Sequence, residues 1–114
     1  MTASANTIIY PVTDLAKAKT FFSTLLGVQP ESDEVYYVGF NVDGQEIGLD
    51  PYGHSKGMTG PVCYWDVEDI ETSTKALTDS GAEVQQEAKD VGGGKLIATV
   101  QDADGNVIGL IQSP

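Results

Sequence analysis

The chain has no arginine, one cysteine, one histidine and one tryptophan, and each scarcity excludes something. Without arginine there is no planar guanidinium fork to grip a carboxylate or phosphate through two parallel hydrogen bonds. Cys63 has no partner for an internal disulfide, which points to a reducing, cytoplasmic setting. With His54 alone, a two-histidine metal site cannot be built within one protomer. No apolar run approaches the roughly 20 residues that span a bilayer. Met1-Thr2-Ala3-Ser4-Ala5-Asn6 has neither a basic stretch nor an apolar one, so no secretory signal is expected there.

What is present is an ordinary globular composition: 114 residues, 40% hydrophobic and 20% charged. A chain of this size buries roughly two thirds of its unfolded surface, enough for a core without staples. Seventeen acidic residues face six lysines, a net charge of -11. That balance repels phosphate backbones and anionic lipids, so neither nucleic acid nor a membrane is an expected partner. A charged ligand would sooner be cationic than anionic, although solubility alone also accounts for the acidity.

The sequence repeats itself. Thr7-Ile8-Ile9-Tyr10-Pro11-Val12-Thr13-Asp14-Leu15 reads as a strand running into a helix cap, and Val62-Cys63-Tyr64-Trp65-Asp66-Val67-Glu68-Asp69-Ile70 has the same shape. In both, an Asp is placed to accept from the first free N–H groups of a helix. Leu15, Ala18, Phe21, Phe22 and Leu25 then fall at helical spacing before Gly27; Ile70, Ser73, Ala76 and Leu77 do so before Gly81. The second stripe is thinner and more polar, which predicts the less firmly anchored helix. Residues 35–42 alternate as a strand, with Tyr36, Val38, Phe40 and Val42 on one side and Tyr37, Gly39 and Asn41 on the other. Asp43-Gly44 predicts a tight turn into a strand at 45–50, and 96–101, Asp104-Gly105 and 107–112 repeat the arrangement. The motif D-G-x-x-I-G-L recurs at 43–49 and 104–110. Gly92-Gly93-Gly94 reads as a loop between strands and not a phosphate loop, because no helix-opening glycine motif accompanies it. The expected organisation is one α+β domain over 1–114, with module one at about 7–50, a linker at 51–60 and module two at about 61–112.

V-T-D-L with F-F and L-L-G in the first half, and D-V-E-D-I with D-A-D-G-N-V-I-G-L in the second, resemble the vicinal oxygen chelate family of glyoxalases, ring-cleaving dioxygenases and bleomycin-resistance proteins. The resemblance runs from about Thr7 to Gln112. It implies two βαβββ modules forming a cupped mixed sheet with helices outside, and a homodimer whose subunits complete the clefts. It also assigns strand faces: Ile8, Tyr10 and Val12, like Cys63, Trp65 and Val67, to the helix side, and Thr7, Ile9 and Pro11, like Val62, Tyr64 and Asp66, to the cleft. Cys63 then reads as a small buried hydrophobe, and His54 as a solvated loop residue.

Metal-using members resembling this chain place a His or Gln ahead of the capping Asp, and a Glu in the last strand, of each half. Carried over, those positions are Thr7, Val62, Gly48 and Gly109, so no metal and no cofactor are expected. Glu46 and Asp50 share the face of Gly48. At i and i+4 on a strand they stand roughly 13 Å apart, too far to share an ion; they either draw a cationic ligand or are solvated strand ends.

The resemblance therefore implies a non-metal small-molecule-binding protein of the glyoxalase/bleomycin-resistance type, sequestering a cationic or aromatic ligand in a dimer cleft. Its expected ligand-binding residues are Thr7, Ile9, Tyr37, Glu46, Gly48, Val62, Tyr64 and Gly109, the tyrosines stacking on a planar guest and the glycines leaving it space. Side chains packed into a closed core would account for the same residues. No catalytic residue is identified. The alternative is a glyoxalase-like lyase or dioxygenase acting on a small metabolite; a metal-free isomerase using Tyr37, Tyr64 or Glu46 as proton carriers has no motif behind it.

Overall fold

The structure, a computed structural model, describes residues 3–114; the expected lack of a secretory signal falls partly on Met1 and Thr2, outside the described residues. Among the described residues the chain is mixed α+β, with eight strands and two α-helices. It divides into two compact units, Thr7–Val62 and, with the stretch up to Asn6, Cys63–Pro114.

The first unit runs β1 (Ser4–Pro11, in this unit from Thr7 onward), α1 (Leu15–Leu26), β2 (Ser32–Glu34), β3 (Tyr37–Val42), β4 (Gln45–Asp50). Its strands lie in the order β2-β3-β4-β1, β1 parallel to β4 and the other pairs antiparallel. That mixed sheet follows from the helical crossover after β1 and the short connections thereafter. The Asp14 carboxylate accepts from the Lys17 N–H at 3.0 Å, and Gly27 closes α1 in the left-handed region at φ 72. Asp43 and Gly44 both have positive φ, as the two-residue β3–β4 hairpin demands, and the Asn41 side chain accepts from the Gly44 N–H at 3.0 Å. The core is Val38, Phe40 and Leu49, packed by Tyr10, Leu15, Ala18, Phe22 and Leu26.

The second unit repeats the order: β5 (Val62–Asp66, in this unit from Cys63 onward), α2 (Ile70–Asp79), β6 (Glu83–Asp90), β7 (Leu96–Gln101), β8 (Val107–Gln112). Its strands lie in the order β5-β8-β7-β6, with β5 parallel to β8. Asp69 caps α2 by accepting from the N–H groups of Glu71 at 3.1 Å and Thr72 at 3.2 Å. Gln112 Oε1 accepts from the Ile70 N–H at 2.7 Å, tying the helix start to the last strand. Val67, Ile70, Ala98 and Leu110 form the core, with Leu77, Ala88 and Leu96 packed on it. In the β7–β8 turn, Asp102 accepts from the backbone of Asp104 and Asn106 and from the Asn106 side chain. The Asn106 side chain leads the interactions that hold this carboxyl below the usual carboxylate range.

Two sequence expectations are corrected here. Residues 35–42 are not one strand: Val35 and Tyr36 form the turn between β2 and β3, and Tyr36 is exposed. The three polar residues of β2, Ser-Asp-Glu, carry no apolar alternation that would reveal a strand. The helices are also anchored in the reverse order to that expected. No residue of α1 is fully buried, whereas α2 buries Ile70 and Ser73. Along α1 the inward residues are Leu15, Ala18, Phe22 and Leu26; Phe21 and Leu25 sit about 100° around the helix and are 62% and 64% exposed.

Candidate functional site

In each unit the strands have one face under the helix and one turned away, and the register decides what meets on the second face. In the first unit Val38, Phe40, Ile47 and Leu49 point into the core with α1. Tyr37, Gly39, Glu46, Gly48 and Asp50 therefore alternate onto the opposite face. Gly48 is paired with Ile9 on one side and Gly39 on the other, and Glu46 is paired with Thr7.

The Tyr37 ring lies across this glycine pair. A Cβ built on Gly39 would be 3.0 Å from Tyr37 Cε2; one built on Gly48 would be 2.7 Å from both Tyr37 Cε1 and Ile9 Cδ1. Neither glycine has a positive φ, so what excludes a side chain there is contact and not backbone strain. Tyr37 Oη donates to Glu46 Oε2 at 2.5 Å. Burial first, and then the Glu46 carboxylate, push the Tyr37 phenol far above its ordinary value. Asp50 is buried and accepts from Lys56 Nζ and the Tyr52 N–H, each at 2.8 Å. It is therefore neither a solvated strand end nor an unpaired charge awaiting a cation. Glu46, by contrast, has no lysine partner among the described residues.

A pH effect follows from Tyr37. With its native value raised, the folded state holds this proton more tightly than the unfolded chain does. The resulting stabilisation is complete below the ordinary phenol value and is lost as pH rises above it. Urea unfolding across alkaline pH should show wild type losing stability more steeply than Tyr37→Phe; equal slopes would contradict the assignment.

The second unit repeats the device with a different strand. Ala98 and Leu110 point into the core with Ile70, so Thr99 and Gly109 face away from α2. Gly109 is paired with Tyr64 of β5 and with Thr99 of β7. A Cβ on Gly109 would be 2.5 Å from Tyr64 Cδ1 and 2.6 Å from Cγ. In each unit, then, a tyrosine ring occupies the space above a glycine of the last strand. This corrects the expectation that Gly48 and Gly109 leave room for a guest: the chain's own rings fill it. The signal lay in the repeat itself, since Ile9 and Tyr64 are equivalent positions whose parallel register sets a large side chain beside a glycine.

The metal that the family resemblance implies does not fit these residues. Thr7 and Val62 are buried, and the remaining two positions are glycines under tyrosine rings. Together the four side chains offer a single hydroxyl oxygen, against the three or more imidazole, thiolate or carboxylate donors that such sites use. Among the described residues no group of three or more His, Cys, Asp or Glu is placed to hold an ion. Cys63, expected as a small buried hydrophobe, is half-buried, and burial raises its thiol, which disfavours the thiolate. His54 is exposed in a 3-10 turn, at His54–Lys56. A separate open depression of about 340 Å³ lies between α1 and the β2–β3 turn, beside Leu15, Lys19, Asp33 and Val35; no sequence-predicted site residue lines it.

Residues 4–110 match the model of the Glyoxalase/Bleomycin resistance protein/Dioxygenase superfamily. No curated protein matches the chain significantly. Among solved structures, a glyoxalase/bleomycin resistance protein/dioxygenase superfamily member from Vibrio splendidus 12B01 is 19% identical, with a TM-score of 0.75 over 97% of this chain and 98% of that one. The hypothetical protein BH1468 from Bacillus halodurans C-125 is 14% identical, with a TM-score of 0.78 over 100% of this chain and 96% of that one. A Streptomyces coelicolor methylmalonyl-CoA epimerase variant, solved with 2-nitronate-propionyl-CoA, is 17% identical, with a TM-score of 0.73 over 99% and 96%. At these identities the likeness is one of fold.

Proposed function

The chain belongs to the Glyoxalase/Bleomycin resistance protein/Dioxygenase superfamily, and from that premise we propose that it is a cytoplasmic, homodimeric, non-metal protein that sequesters a cationic or aromatic small molecule on the faces carrying Tyr37 and Tyr64. The observation that carries the reading is the covered glycines: where metal-using relatives place a ligating carboxylate, this chain presents an aromatic ring. A ring attracts a planar guest by stacking and a quaternary ammonium by its negative face. The net charge of -11, with no arginine, favours the same class. Those features also count against carrying over the epimerase's ligand, since coenzyme A is rich in phosphate and this chain has six lysines to meet it.

Titration calorimetry with benzyltrimethylammonium and with benzoate tests the proposal. The cation should bind, with Tyr64→Leu weakening it about fivefold and Glu46→Gln weakening it as well. Tighter binding of benzoate than of the cation would contradict the reading. Light scattering should give twice the protomer mass of 12.1 kDa.

A further inference from the structure

Gln86 stands out because its side-chain nitrogen is buried and has no hydrogen-bond partner. It lies on β6, where the pairing with β7 shifts register twice, once between Val84 and Gln86 and again between Gln86 and Lys89. Between the two shifts Gln86 is paired with Thr99, which is paired with Gly109, which is paired with Tyr64. Directly paired residues point to the same side of a sheet. Gln86 is thus the outermost of a row of four across β6-β7-β8-β5, on the face away from α2, ending in the ring over Gly109. Irregularities of this kind re-aim a side chain, and they gather near functional sites. Without the shifts, the strict alternation begun at Val84, which is paired with Val100 on the helix side, would have turned position 86 toward α2.

We propose that the Gln86 amide is a specificity-determining donor for the ligand, hydrogen-bonding a neutral acceptor, such as a carbonyl oxygen or ring nitrogen, of a planar molecule lying along this row. The amide nitrogen only donates, so it selects for an acceptor and gives nothing to a purely cationic headgroup. An orphaned buried donor is costly to leave unmade, and an incoming acceptor recovers that cost on binding. This inference rests on the small-molecule reading above and adds the chemistry of one end of the guest.

The test compares benzamide, N,N-dimethylbenzamide and benzyltrimethylammonium by titration calorimetry against wild type, Gln86→Leu and Gln86→Glu. Benzamide should bind wild type and weaken about fivefold in Gln86→Leu, the worth of one neutral hydrogen bond. Benzyltrimethylammonium should be unchanged by Gln86→Leu. Gln86→Glu keeps the size and shape but replaces the donor with a carboxylate that only accepts, so N,N-dimethylbenzamide, which has a carbonyl acceptor and no N–H, should bind wild type and be lost in Gln86→Glu even if the leucine variant folds poorly. In amide NMR spectra, the Gln86 side-chain NH2 resonances should move on adding benzamide. Equal benzamide affinity in all three proteins overturns the Gln86 assignment while leaving the small-molecule reading in place. Failure of wild type to bind any of the probes overturns both.

Discussion

Gly109→Glu, which restores the carboxylate found in metal-using relatives, is expected to destabilise the protein by about 3 kcal/mol or more. The new side chain would start 2.5 Å from Tyr64 Cδ1, so the ring must leave before the carboxylate can be seated. Overpacking a filled site typically costs about 1–3 kcal/mol, and burying an unpaired carboxylate adds to that. Because the backbone at Gly109 is not in the left-handed region, the penalty should be steric and therefore relievable. Tyr64→Ala should relieve it: in a double-mutant cycle the pair should be less destabilised than the sum of the singles by about 0.5–3 kcal/mol. Additive effects in urea unfolding would show that the ring is not what fills the space.

The second large effect concerns the helices. Ile70→Ala is expected to cost about 2–5 kcal/mol, because Ile70 is wholly buried among Val67, Ala98 and Leu110. Phe21→Ala, although it removes a larger side chain, should change stability by no more than about 0.5 kcal/mol, since Phe21 is 62% exposed. A sequence stripe counts apolar residues but does not locate them around the helix axis. Comparable losses for the two variants in urea unfolding would overturn the anchoring of α2 over α1.

The division between what was legible and what was not follows the same logic. The repeat, both Asp caps, the Asp43-Gly44 turn and the strands at 45–50, 96–101 and 107–112 rest on local chemistry: hydrogen-bonding side chains and left-handed turn residues at fixed offsets. They appear in the structure as Gln45–Asp50, Leu96–Gln101 and Val107–Gln112. Strand alternation grouped Glu46 with Gly48 and set the face of Tyr37 within its own strand; it was the family resemblance that joined these, and Tyr64 with Gly109, and the registers bring each group onto one face within its own unit. What alternation does not carry is the third dimension above the sheet. Nothing in the order of residues says that Tyr37 bends across Gly39 and Gly48 to reach Glu46. Nor does it say that Lys56, in a turn after β4, takes Asp50. Gln86 escaped for a related reason: two register shifts break the period-two rule on which face assignment depends.

The absence of a fitting donor set is the claim on which the functional reading stands, and elemental analysis of the purified protein, after incubation with zinc, nickel, iron and manganese salts and desalting, tests it most directly. Substoichiometric traces of every metal are the predicted result. One full equivalent of any of them per protomer, lost when Thr7 or Glu46 is substituted, would contradict it and place a Lewis acid where the tyrosine rings now lie.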